Sequence, residues 1–207
     1  MSNHSKPIFA GLVAMAAAFA LTSCGAISSV TVEADYPAYE TPASLVSESA
    51  IVVEATVLDK EPTILLPRYE GDTPEENPYL GATEEERQRA VDEDGGLPGE
   101  AVILRVDVVH RGGATPGDEV VFIQTGGVMN GVKYDFPEES DLQPGSRYLL
   151  FGMDSVDGAF TVLGGSAGAF IADDDRYIAT SDAAPVTELT IAEVKALLSG
   201  SALPRDA

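Results

Sequence analysis

Apolar residues along this chain occur in three kinds of run, and each predicts a different element. The first is continuous: Ile8 to Leu21, interrupted only by Gly11 and preceded by a short polar start carrying Lys6. Its length fits the about 7–15 residues of a signal-peptide core and falls short of the ~20 that span a bilayer. The second kind is short and rich in β-branched residues. "AIVVEATVLD" (Ala50–Asp59) reads as a strand, and from Glu100 onward the pattern is β throughout. "AVILRVDVV" alternates in its second half, placing Val106 and Val108 on one face and Arg105 and Asp107 on the other. "VVFIQTGGVM" predicts a strand with a bulge at Gly126-Gly127. Asn130-Gly131 before "VKYDF" is a strong short hairpin signal. "YLLFGM" is apolar without alternation, as expected of a central strand buried on both faces. "AFTVL", "AGAFIA" and "RYIA" follow as short strands. The third kind has helical spacing: Leu189, Val194, Leu197 and Leu198 form a stripe, with Thr190 and Glu193 as a capping box and Gly200 as the stop.

Between these runs lie the breaks. Residues 24–41 are small and polar with no sustained period, and predict a tether. Thr41-Pro42 then signals the start of a short helix. Residues 61–100 hold five prolines and a dense set of acids, and predict a long surface insertion. Within it, Thr83 and Glu86 form a second capping box. The organisation expected is a signal peptide over 1–23, the tether, and one domain over 42–207. That domain is mainly β: an OB-like, closed or partly open antiparallel barrel of about 6–7 strands, with a short N-terminal helix and a C-terminal helix.

Charge changes the picture of partners. The chain has 34 acidic and 12 basic residues, a net charge of −22, and loss of Lys6 with the leader takes it to −23. Such a chain is repelled by nucleic acid, which excludes nucleic-acid binding, and by anionic surfaces. There is one cysteine, Cys24, so no internal disulfide can form.

Leu21-Thr22-Ser23-Cys24 closes the first apolar run and resembles the lipobox of bacterial lipoproteins. The resemblance implies that the Cys24 thiol takes a diacylglyceryl group, that the chain is cut before Cys24, and that the new amine is acylated. One acyl chain binds membranes only marginally, whereas two or three on one residue anchor firmly. The expected location is the extracytoplasmic face of the cell membrane, with the membrane itself as partner through the lipid. Three later stretches, "SLVSESAIVVEATV", "ILRVDVVHRGGATPGDEVVFIQTGG" and "LQPGSRYLLFGM", taken in order, resemble a group of secreted or lipid-anchored bacterial proteins to which no activity is assigned. "NPYLG" (Asn77–Gly81) also looks like that group, while His110-Arg111-Gly112 departs from its usual Lys-Gly turn. The pattern is distantly similar to the netrin-module and metalloproteinase-inhibitor type of OB barrel, which implies the fold alone. In those inhibitors an N-terminal cysteine amine binds zinc, a role a lipidated Cys24 does not inherit.

Candidate chemistry is sparse. "GGSAG" (Gly164–Gly168) matches the nucleophile-elbow pattern at Ser166, but a strand rather than a helix is expected after it, and the single mature histidine, His110, precedes it. The expected role of these glycines is close backbone approach. His110 alone builds no typical zinc site and is expected to end a strand. "DEDGG" (Asp92–Gly96) begins like a calcium loop but has Ile103 at the twelfth position, so it fails as an EF-hand. Asp173, Asp174 and Asp175 between two strands form a solvated hairpin tip and the candidate for weak calcium binding; no other cofactor is expected. No Trp is present to stack a sugar. The expected function is therefore a lipid-anchored, non-enzymatic module that binds a protein or envelope ligand. The alternatives are an extracellular enzyme working through carboxylates and a calcium-dependent structural envelope protein.

Overall fold

The computed structural model describes residues 28–65, 71–73, 75–77, 79–83, 85–87, 89, 96–155 and 158–200. The predicted signal peptide and Cys24 lie outside them. In chain order the elements are β1 (Ser28–Thr31), α1 (Pro42–Glu48), β2 (Ile51–Leu65), β3 (Leu97–Arg111), β4 (Glu119–Thr125), β5 (Gly127–Met129), β6 (Val132–Asp135), β7 (Arg147–Asp154), β8 (Phe160–Val162), β9 (Ala169–Asp173), β10 (Arg176–Ala179), β11 (Glu188–Thr190) and α2 (Ile191–Leu198).

Five strands close a barrel in the order β7-β2-β3-β4-β8, with β8 returning to pair with β7. The fold is mainly β and fits an OB-like barrel, as the strand pattern predicts, but the barrel closes with five strands rather than about 6–7. The remaining strands are extra: β9, β10 and β11 branch from β7, and β1-β6-β5 make a separate three-stranded sheet. Strand β7 carries the branch because it has three partners. It pairs with β2 along one side, and on the other with β9 at Tyr148–Leu150 and β8 at Gly152–Asp154.

This explains the unbroken apolar run of β7. Tyr148 and Leu150 point into the barrel among Val53, Ala55, Val102, Leu104 and Phe122. Leu149 and Phe151 point out, into a second core with Phe170, Tyr177 and Leu189 beneath Leu45 of α1 and Val194 and Leu197 of α2. All four residues from Tyr148 to Phe151 are buried. The helices start as read: Thr41 and Thr190 each cap through a capping box, with Ser44 and Glu193 as partners.

Four expectations need correction. Residues 28–39 do not stand free as a tether: β1 pairs in parallel with β6, Val32 N–H donates to Asp135 O at 2.9 Å, and Tyr39 packs on the second core. Backbone pairing and two tyrosines hold this arm, and neither leaves an apolar period. The insertion is shorter than 61–100, because β2 runs on to Leu65 and β3 begins at Leu97, with thirteen registered pairs between them. Its predicted cap is real: Glu86 Oε2 accepts from the Thr83 amide at 2.8 Å and hydroxyl at 2.9 Å. Gly126-Gly127 is a break between two strands, not a bulge, and both glycines take positive φ (113° and 118°) as the chain leaves the barrel for the small sheet. Finally, Val106 and Val108 do not share a face. The register skips Asp107 between Glu54↔Val108 and Ala55↔Val106, so Val106 is buried and Val108 exposed.

Candidate functional site

Two register skips on β3, at Asp107 and at His110, accompany a polar group on the barrel's outer wall. Glu54 is the fourth residue of β2, 7% exposed, between the buried apolar residues Val53 and Ala55. Burying a carboxylate there requires donors. His110 Nε2 supplies one, 3.0 Å from Glu54 Oε1, and the Tyr177 hydroxyl of β10 supplies another. Burial, followed by the bond to Glu54, pushes the Tyr177 hydroxyl well above its usual range. One step along the same wall, Thr56 Oγ1 donates to Asp107 Oδ2 at 2.7 Å, and Asp107 Oδ1 faces Arg105 Nη2 at 3.6 Å. The register sets Arg147 and Arg105 on either side of Thr56.

A second, partly buried acid fastens the N-terminal arm. Tyr36 Oη donates to Glu139 Oε2 at 2.5 Å, and the Thr125 backbone donates to the same carboxyl. Burial pushes the Glu139 carboxyl up to about 7; the two donors only partly offset it. At the barrel end beside this arm, Lys60 Nζ lies 2.7 Å from Glu100 Oε2 and 3.0 Å from Asp141 Oδ1. Burial works against the Lys60 charge, and these two carboxylates outweigh it, so its pKa rises. Gln124 points inward here: it lies in register with Glu100, next to the inward pair Phe122 and Val102. Both of its amide atoms are buried without a hydrogen-bond partner among the described residues.

The residues singled out from sequence fare differently. Cys24 lies outside the described residues. Asp173, Asp174 and Asp175 form an exposed tip between β9 and β10, with Asp174 at φ 50° and Asp173 turned to Arg176 at 3.6 Å. Among the described residues no group of three or more His, Cys, Asp or Glu side chains converges as a metal site. His110 is the penultimate residue of β3, one short of the strand end expected of it, and its partner is Glu54. Ser166 is 2% exposed and shares a 2.7 Å hydrogen bond with Ser181 Oγ. The neighbouring glycines do allow close crossings: a Cβ on Gly165 would sit 2.5 Å from Glu138 O, and one on Gly168 would sit 2.7 Å from Phe151 O. Glu54, Tyr177, Tyr36, Glu139 and Gln124 were not singled out from the sequence. Only Glu54 leaves a signal, as a charge inside "IVVEATV".

The arrangement holds side chains rather than offering them. Glu54, Asp107, Glu139 and Ser166 are each engaged with another protein group, whereas Asp174 and Asp175 are exposed at their turn. No protein-family model matches the chain, and no curated protein matches its sequence.

Proposed function

We propose that this protein is a lipid-anchored module on the extracytoplasmic face of the cell membrane that binds an envelope ligand without catalysing a reaction. The observation that carries the reading is Leu21-Thr22-Ser23-Cys24 at the end of an apolar run of signal-peptide length. An acylated Cys24 places the barrel at the membrane surface. The binding half of the reading is supported by the state of the reactive groups. His110 is held by Glu54, Ser166 by Ser181 and Glu139 by Tyr36. A general base or nucleophile must reach a substrate proton or carbonyl, and these side chains are committed inside the fold. The outer wall around Thr56, Arg105 and Arg147 offers polar contact surface of both charges.

The test is a broad hydrolase panel on the purified domain from Cys24 onward, alongside variants of Glu54, Asp107 and Glu139. No turnover above buffer is expected. Turnover that one Asp or Glu substitution abolishes while the fold survives would replace the binding module with a carboxylate enzyme.

A further inference from the structure

We propose that residues 28–39 form a strap that lifts off the domain as a unit, hinged where α1 begins, and that the contact between Tyr36 and Glu139 is its latch. Exposure alternates along the strap. Val32, Ala34 and Tyr36 are half-buried, while Thr31, Glu33, Asp35 and Pro37 are exposed, so one side faces the domain and the other faces water. None of residues 28–41 is fully buried; burial begins with Pro42 and Leu45 of α1. Lifting the strap therefore uncovers only half-buried groups, as in a segment that opens well below the free energy of global unfolding.

The rest of the domain keeps its bonds without the strap. Strand β6 stays paired with β5. Glu139 N–H donates to Phe136 O at 3.0 Å and Ser140 Oγ donates to Gly165 O at 2.9 Å, so the segment bearing Glu139 has its own supports. The strap crosses the glycine turn after β8, where a Cβ on Gly165 would meet Tyr36 Cδ2 at 3.0 Å and one on Gly164 would meet Pro37 O at 3.0 Å. It docks by backbone at β6, by shape at this turn, and by the side chain of Tyr36 among Glu139 and Thr125.

The latch responds to pH. Glu139 is faced by Tyr36 from the strap and by the Thr125 backbone at the end of β4, and Glu138 adds a second negative charge beside Tyr36. No ion pair holds Glu139 among the described residues. Docked, its carboxyl is pushed by burial up to about 7; with the strap lifted it regains water and its ordinary value of 4.5. The docked state holds the proton more tightly, so docking is strongest below pH 4.5 and weakens as pH rises through 7. Between pH 5.5 and pH 8 the docking equilibrium falls by about 30-fold. One consequence rests on acylation of Cys24. With the strap docked, only Gly25, Ala26 and Ile27 link Cys24 to Ser28, about 14 Å at full extension; with it lifted, the link from Cys24 to Thr41 reaches about 60 Å.

The test is amide hydrogen exchange on the mature protein and its Glu139→Gln variant at pH 5.5 and pH 8, corrected for the intrinsic rate and read by mass spectrometry. Peptides covering residues 28–36 report the strap, and peptides from β2 and β7 report the barrel. The strap is expected to be at least tenfold less protected than the barrel at pH 8. Its protection should fall about 30-fold from pH 5.5 to pH 8, and Glu139→Gln should abolish that fall. Strap and barrel amides equally protected at each pH would show that the strap opens only with the whole domain, and would overturn the proposal. A fall that persists in Glu139→Gln would overturn the latch. Intact mass on the same sample reads the lipid separately: strap opening in protein without lipid would support the strap and remove only its effect on reach.

Discussion

Burying the Glu139 carboxyl against Tyr36 makes the fold's stability depend on pH. Its pKa rises from 4.5 to about 7 on folding, so the folded state holds the proton more tightly than the unfolded chain. The contribution of this group is fully present below about pH 4.5 and is lost as pH rises towards 7. The linked change is up to about 3 kcal/mol. Glu139→Gln keeps an acceptor for Tyr36 without the titration. Its stability relative to the parent, measured by denaturant unfolding, should rise between pH 5 and pH 8; a difference that stays flat across this range would show that Glu139 does not titrate upward. Gln124 gives a second expectation at this scale. Two buried amide atoms without partners among the described residues cost more than an apolar group of the same shape. Gln124→Met should therefore stabilise the domain by about 1 kcal/mol, read as a higher Tm. A lower Tm would show that the amide binds a water or another partner inside the barrel. Neither site was legible in the sequence: "PEESDL" gives no sign which acid is buried, and "FIQTG" does not say which face Gln124 takes. Both depend on contacts between segments far apart in the chain.

Elements were legible where one pattern served one environment. Strand β7 announced itself because both faces are buried, and α2 because its cap and its stripe agree. Leu150 is fully buried in β7 between Val53 of β2 and Ala169 of β9. Leu150→Asp should cost about 4 kcal/mol or more, since it places an unpaired charge in the barrel core; a variant that still unfolds cooperatively near the parent's midpoint would contradict the central placement of β7. Elements held by backbone pairing left no such trace. "SSVT" carries one apolar side chain, yet it forms β1 because β6 supplies its hydrogen-bonding partners. Strand β2 outran its reading for the same reason: "EPTIL" looks like insertion, but it ladders onto β3 all the way to Leu65↔Leu97. The Glu54–His110 pair joins residues 56 apart, and its face depends on a register skip that alternation alone could not foresee.

At the scale of the whole molecule, the arm and the barrel form one chain of constraint, and the proposed anchor at Cys24 attaches to the start of the arm. Cys24 is three residues short of β1, β1 is paired to β6, Tyr36 and Tyr39 fasten the arm, and β5 abuts the β2–β3 hairpin that closes the barrel wall. The charge of −22 favours repulsion between copies of the chain. Everything in this arrangement turns on the sulfur of Cys24. The most direct measurement is detergent phase separation of the parent and Cys24→Ser proteins made in a bacterial host, with intact mass taken on each. The parent should partition into the detergent phase with the mass of a chain beginning at Cys24 plus diacylglyceryl and acyl groups, and Cys24→Ser should carry no lipid and lose that partitioning. A Cys24→Ser protein that still enters the detergent phase after its leader is removed would contradict the lipid anchor.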